Sequence, residues 1–240
     1  MRMKPKVPNK KRDLIISICC IVVIAMSLSL TGLFLFQHFH YDPFWVSGQS
    51  MYPTLNKDAK YADGSLVGEK HIRPFEEGEY DVDYGFMVTS EKAINKIKRF
   101  DIVVFEAGGS LVSYNIKRII ALPGETFYIT STSDETNGSL YVQKGDNFDL
   151  VNQPLSSELV SVGTYPEEYT TPHTLGENEY FVLGDNRKGD NSYDSRNTGP
   201  IQKDLILGVA KGLNGKCTLG YNKKGTYTAI KVKHHWPRYF

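Results

Sequence analysis

Residues 114–125 read Tyr114-Asn115-Ile116-Lys117-Arg118-Ile119-Ile120-Ala121-Leu122-Pro123-Gly124-Glu125. A β-branched run closed by Pro-Gly predicts a strand that ends in a tight turn. Alternation along such a strand puts Lys117 on one face with Ile119 and Ala121, and Arg118 on the other. A lysine among apolar neighbours loses hydration of its ammonium, and lowering its pKa from about 10.4 to near 8 costs on the order of 3 kcal/mol. A lysine on an edge strand with its head in water avoids that cost, so the strand alone leaves both readings open.

Short β-branched and aromatic runs continue on either side, at Ile102–Phe105, Leu111–Leu122, Thr126–Thr130, Leu140–Val142, Tyr180–Leu183 and Ile206–Ala210, each bounded by turn residues. An amphipathic helix is expected only around Ser90–Lys98. The fold class is therefore mainly β. Between Phe127 and Asn178 the chain becomes polar, and Ser131–Ser139 contains no apolar residue, so an inserted subdomain is expected at about 127–178.

At the other end, Leu14 to Phe36 carries no charge over about 23 residues, roughly 34 Å as a helix, which matches a bilayer's hydrocarbon core. Lys4, Lys6, Lys10, Lys11 and Arg12 precede it, opposed only by Asp13. The positive-inside rule then puts 1–13 in the cytoplasm, makes 14–36 a transmembrane helix and leaves 37–240 as an extracytoplasmic domain. A cleavable signal has a shorter apolar core and small residues at its cut site, whereas Gln37-His38-Phe39-His40-Tyr41 follows here, so a retained anchor is expected. Phe39, Tyr41, Phe44 and Trp45 suit the headgroup region, and the basic tail with Lys223, Lys224, Lys231, Lys233 and Arg238 beside Trp236 suits either solvent or anionic headgroups.

With 28 Lys+Arg against 27 Asp+Glu, the formal net charge of +1 gives no bulk field for nucleic acid, and none is expected as a partner. Cys19 and Cys20 lie in the apolar run and Cys217 is alone beyond it, so no disulfide framework is available to the extracytoplasmic part. His38-x-His40 and His234-His235 lack a third ligand at useful spacing, so no metal and no cofactor are expected.

Two further blocks concentrate chemistry. In Val46-Ser47-Gly48-Gln49-Ser50-Met51-Tyr52-Pro53-Thr54-Leu55, Ser50 stands between a flexible Gly48 and a direction-fixing Pro53, a turn able to hold a hydroxyl. In Leu183-Gly184-Asp185-Asn186-Arg187-Lys188-Gly189-Asp190-Asn191-Ser192-Tyr193-Asp194-Ser195-Arg196-Asn197-Thr198-Gly199, hydrogen-bonding groups are too dense for a plain loop. Calcium is excluded because the spacing is not that of an EF-hand and Arg187, Lys188 and Arg196 would repel a cation.

These three blocks, in this order and with Phe100-Asp101-Ile102-Val103-Val104-Phe105 as a fourth, resemble the signature boxes of the bacterial type I signal peptidases. The resemblance covers roughly 44–55, 99–125 and 180–200. It implies a coiled β-sheet catalytic domain behind one membrane helix, and the removal of signal peptides from exported preproteins after small residues at Ala-x-Ala-like sites. It makes Ser50 the nucleophile and Lys117 its general base, with Gly48, Gln49, Met51 and Pro53 shaping the nucleophile and oxyanion loop. It further implies that Ser192 orients the Lys117 amine, that Asp194 and Arg196 form a bracing ion pair, and that Asp185 and Arg118 hold the strands. Signal peptides and the lipid bilayer are the implied partners. The stretch from Arg187 to Ser192 is longer than the family spacing by about two residues, and Gly48 stands where some relatives carry a Ser donor.

Rival chemistries fit less well. Tyr52 occupies the last position of any G-x-S-x-G elbow at Ser50, and Pro53 the lysine position of an S-x-x-K motif. A self-cleaving repressor would need a DNA-binding domain where the apolar run stands. A non-catalytic factor for pilus or surface-protein assembly would have no use for both Ser50 and Lys117.

Overall fold

The computed structural model describes residues 10–60, 80–106, 114–130, 138–161, 163, 165–189, 191–221 and 227–240. Lys4, Lys6, Leu111, the segment 131–137, Lys223 and Lys224 lie outside them. Helix α1 (Lys10–His40) is one unit. Its stretch Lys11–Leu33 is long and apolar enough to cross a bilayer, and none of it is buried inside the protein. The hydroxyls of Ser17, Ser29 and Thr31 each donate at 2.9 Å to the carbonyl four residues earlier, so these polar side chains are satisfied within the helix.

The second unit, Asp42–Phe240, is built almost entirely from antiparallel strands. In chain order these are β1 (Asp42–Trp45), β2 (Tyr80–Val88), β3 (Ile102–Glu106), β4 (Tyr114–Ala121), β5 (Thr126–Ile129), β6 (Leu140–Lys144), β7 (Asn147–Val151), β8 (His173–Thr174), β9 (Glu179–Leu183), β10 (Ile201–Gln202), β11 (Ile206–Tyr221) and β12 (Tyr227–Tyr239). The main sheet runs β1-β2-β11-β3-β4-β9-β10, and β12 joins the far part of β11. A smaller sheet runs β7-β6-β5-β8 within the polar region between β4 and β9. The short helices are α2 (Glu91–Ile94), α3 (Ser157–Ser161), α4 (Glu167–Thr170) and α5 (Ser195–Thr198). Helix α2 falls inside the expected Ser90–Lys98 window and is capped by Ser90, whose side chain accepts from the Ala93 N–H.

The expected strands all occur within a few residues of their predicted limits except at β11, which continues to Tyr221. That strand changes partner along its length. Ile206–Val209 pairs with β3 and Gly212–Tyr221 with β12, while its other edge holds β2 throughout Val209–Leu219. Register shifts at Ala210/Gly212 and Leu213/Gly215 let it bend. Gly215 is required there, because a Cβ would stand 2.7 Å from the Lys233 carbonyl oxygen.

Lys117 through Ala121 of β4 are all buried, so this is a central strand covered on both faces. Ile119 packs with Val103, Phe105 and Val182, while Ile120 packs with Phe127, Phe181 and Leu183. The predicted alternation fails at Ala121, which joins the Ile120 cluster; the β4–β9 register shifts between Ile119 and Ala121. The smaller sheet closes over this cluster. Fully buried Phe127 meets Phe181 at 4.9 Å between ring centroids and stacks on Tyr169 at 6.3 Å. Phe127→Ala is expected to destabilise the domain by about 3–5 kcal/mol in urea unfolding followed by circular dichroism.

Candidate active site

The loop after β1 is pinned on both sides of Ser50. Met51 and Leu55 are fully buried in the cluster of Ile102 and Val104. The Tyr52 N–H donates to the Gln49 carbonyl and the Leu55 N–H to the Met51 carbonyl, both at 2.9 Å. Pro53 follows a cis peptide bond after Tyr52. A Cβ at Gly48 would meet nothing within 4 Å, so the loop faces open space there.

Asn56 locks the loop's two ends together. It is fully buried at φ 61, a left-handed conformation that asparagine tolerates. Its side-chain amide donates to the carbonyls of Val46 (2.7 Å) and Gly48 (2.9 Å). Its backbone N–H donates to Asp83 Oδ2 (2.6 Å), and the Asp83 N–H returns to Asn56 Oδ1 (2.7 Å). Lys216 Nζ, 2.6 Å from the other Asp83 oxygen, neutralises the buried carboxylate. None of these three residues emerges from the sequence reading, because each lies outside the motif blocks and only pairing of β2 with β11 brings Asp83 opposite Lys216.

Strand β4 presents Lys117 to this loop. Its side chain is 3% exposed, and Nζ lies 2.9 Å from Ser50 Oγ and 3.1 Å from the Ile116 carbonyl oxygen. Burial lowers the Lys117 pKa, Asp194 and Asp185 oppose that and Arg196 adds to it, leaving a value of about 8. A primary amine close to its pKa at neutral pH, beside a hydroxyl at hydrogen-bonding distance, can take that hydroxyl's proton.

The next residue does the bracing. Arg118 makes a bidentate ion pair with Asp185, Nε to Oδ1 at 2.8 Å and Nη2 to Oδ2 at 2.6 Å, and its Nη1 donates to the Phe100 carbonyl at 2.9 Å. Thr54 donates its hydroxyl to the same Asp185 carboxylate.

The turn after β9 completes the site. The Asn186 N–H donates to the Ser50 carbonyl at 3.0 Å, its side-chain amide to the Gln49 carbonyl at 3.2 Å, and Gln49 Nε2 to Asn191 Oδ1 at 3.1 Å. Asp194 gathers the rest: its carboxylate accepts from the Gly184 N–H (2.9 Å), the Ser192 hydroxyl (2.7 Å), Arg196 Nε (2.9 Å) and Arg196 Nη2 (3.0 Å). Burial raises the Asp194 pKa, but the Arg196 hydrogen bonds and charge, with Gly184 and Ser192, overcome this and hold it below the usual carboxylate range. Asp194 and Arg196 thus form a buried ion pair. Ser192 differs: its proton goes to Asp194, and the hydrogen bonds of Lys117 are to Ser50 and the Ile116 carbonyl instead. Gly184 is a contact that only the structure reveals, since a Cβ there would overlap both the Ser50 carbonyl oxygen and the Ser192 hydroxyl.

Two outcomes are expected from this geometry. The folded state binds the Lys117 proton less tightly than the unfolded chain, so that lysine opposes folding by about 3 kcal/mol below pH 8, and less as pH rises towards about 10.5. Lys117→Met should therefore be the more stable form at neutral pH, with the gap closing at alkaline pH in urea titrations. Gly184→Ala should displace the Ser50 carbonyl and destabilise the domain by about 1–3 kcal/mol, read as a lower urea midpoint.

A family model described as signal peptidase, peptidase S26, matches residues 12–213. Signal peptidase I of Bacillus amyloliquefaciens is 31% identical over 191 residues, covering 79% of this chain and 80% of that protein. Signal peptidase I T of Bacillus subtilis (strain 168) is 33% identical over 195 residues, with 79% and 80% covered. Signal peptidase I S of the same strain is 32% identical over 210 residues, with 87% and 93% covered. A crystal structure of a signal peptidase I from Enterococcus faecalis V583 is 28% identical and covers 48% of this chain and 96% of that one, at a TM-score of 0.33. Motif order, a mainly β architecture and the family-model and sequence matches agree: the chain belongs to the bacterial type I signal peptidases, the serine peptidases of family S26 that remove signal peptides.

Proposed function

We propose that Ser50 is the nucleophile and Lys117 the general base of signal-peptide removal. The observation that carries this reading is the 2.9 Å approach of a buried lysine amine, with its pKa lowered to about 8, to the Ser50 hydroxyl. Lys117 accepts the hydroxyl proton as Oγ adds to the scissile carbonyl, then returns it to the leaving amine as the C–N bond breaks. Water, deprotonated by the same amine, releases the signal peptide from the acyl-enzyme. The Ser50 N–H is the backbone donor nearest the developing oxyanion, and with Gly48 in place of a hydroxyl-bearing residue it carries more of that charge.

The substrates are exported preproteins, cut after a small residue with another small residue two positions before it. Helix α1 is a retained anchor, with residues 1–13 in the cytoplasm and 37–240, including the insertion at about 127–178, on the outer face. Ser50 then works near the leaflet from which signal peptides emerge, because only ten residues part it from His40 at the end of α1. Ser192 supports Lys117 through Asp194 in this scheme.

The test is cleavage of a preprotein bearing an Ala-x-Ala site by detergent-solubilised full-length chain. Ser50→Ala and Lys117→Ala should each lose more than about 1000-fold in kcat with the fold intact by circular dichroism. Wild-type kcat should rise with pH through about 8, as the Lys117 ammonium loses its proton. Retained activity in either variant sinks the dyad, and an inert wild type across several preproteins revives the assembly-factor reading.

A further inference from the structure

The segment between β4 and β9 meets the turn after β9 around one side chain. Among the described residues, Arg187 is the largest that is fully buried. Its Nη2 donates to Gln153 Oε1 at 2.7 Å, its Nη1 to the Tyr165 hydroxyl at 3.1 Å and its Nε to the Gly184 carbonyl at 3.3 Å. A buried guanidinium needs acceptors on its nitrogens, and the segment between β4 and β9 supplies two of these three. The third belongs to the residue packed against the Ser50 carbonyl.

The two outlying acceptors are themselves fixed. Gln153 Nε2 donates to the Gly138 carbonyl at 2.8 Å, and a Cβ at Gly138 would overlap the Val160 carbonyl oxygen. Tyr165 is 5% exposed, in the cluster of Phe127 and Phe181. Gly163 and Lys188 form an isolated antiparallel bridge, so backbone as well as side chains ties the segment to the turn.

Tyr165 also meets a second cation. Arg196 Cζ stands over its ring, 5.9 Å from the centroid, where the negative face of the π-system attracts a guanidinium. Arg196 Nη1 donates to the Arg187 carbonyl at 3.1 Å, while Nε and Nη2 hold Asp194. One phenol therefore lies between two arginines, its hydroxyl on Arg187 and its ring on Arg196. Tyr165, Gln153 and Gly163 all stand outside the motif blocks that carry the Ser50 and Lys117 chemistry.

We propose that Tyr165 is a positioning residue for signal-peptide cleavage, its ring seating Arg196 against Asp194 and its hydroxyl anchoring Arg187 behind the Ser50 loop. This rests on reading Lys117 as the general base, and it gives the inserted segment a task in the reaction. The charged groups that bear on Lys117 are Asp194 and Arg196 from the turn and α5, and Asp185 from the start of that turn; Arg118, its neighbour on β4, is engaged by Asp185. While Arg196 is seated, its charge offsets that of Asp194 at the amine. Without the ring Arg196 can retreat, Asp194 then favours the ammonium form, and the free amine is present only at higher pH.

The experiment measures kcat/KM for a preprotein with an Ala-x-Ala site across about pH 6 to 10, using detergent-solubilised full-length chain. In wild type the alkaline limb should have its midpoint at about 8. In Tyr165→Met that midpoint should move up by about 0.5, a loss of about threefold at neutral pH that is recovered on the alkaline side. Tyr165→Phe keeps the ring over Arg196 and should keep the wild-type midpoint, with a lower urea midpoint because Arg187 loses an acceptor. Tyr165→Leu repeats the test with another apolar side chain should Tyr165→Met fold poorly. A kcat/KM that falls by one factor at every pH, with the limb unmoved, makes Tyr165 a core residue only and overturns the proposal, as does wild-type activity throughout. A wild-type profile with no limb near 8 sinks the reading of Lys117 instead, and this proposal with it.

Discussion

A single buried ion pair joins three parts of the chain that are remote in sequence. Arg118 belongs to β4, Asp185 to the turn after β9, and Thr54 to the loop that carries Ser50, and all three meet on one carboxylate. Burying two charges is expensive, and such a pair is weak evidence for net stability, but leaving either member alone costs more, about 3–5 kcal/mol. The alternatives to the observed arrangement are therefore penalised heavily. Arg118 and Lys117 are neighbours on one strand, so the same pair fixes where the Lys117 amine points. Asp194 performs the matching task for the other wall, holding Gly184, Ser192 and Arg196 with one carboxylate.

The two buried cations obey opposite logic. Arg118 is met by a carboxylate at hydrogen-bonding distance on two nitrogens. Lys117 has a hydroxyl and a backbone carbonyl instead, with Asp194 and Asp185 acting only from further away. A side chain that titrates is useful for moving protons, and one that does not is useful for holding geometry. Adjacent positions on a single central strand supply both.

The sequence reading succeeded where chemistry is local. Ile116 to Ala121 announces a strand by its β-branched run, Pro123-Gly124 its end, and the uncharged stretch from Leu14 its own helix. Density of polar groups marks 183–199 as a network, and the family resemblance singles out Asp185, Asp194 and Arg196 within it. The failures are long-range. β2 contains Asp81 and Asp83, which lower strand propensity; pairing with Thr218 and Lys216 on β11 satisfies them, and no window of sequence contains both partners. β12 was read only as a basic tail, since a strand rich in Lys and His with an internal Pro has the pattern of an edge. Ser192 shows a finer limit: its place in a motif was legible, but which acceptor takes its proton depends on the position of Asp194 in three dimensions.

Strand β11 gives the molecule an order of assembly. Val82 pairs with Cys217 and Asp83 with Lys216, so the loop that holds Ser50 receives its last support from residues synthesised long after it. Contacts of such sequence separation form late, because loop closure precedes any gain from them. Ser50 leaves the ribosome early, yet the Asn56–Asp83 lock beneath its loop lacks its Lys216 partner until β11 pairs with β2. The loop that holds Ser50 is thus completed among the last steps of folding, after the strands nearest the end of the chain have paired.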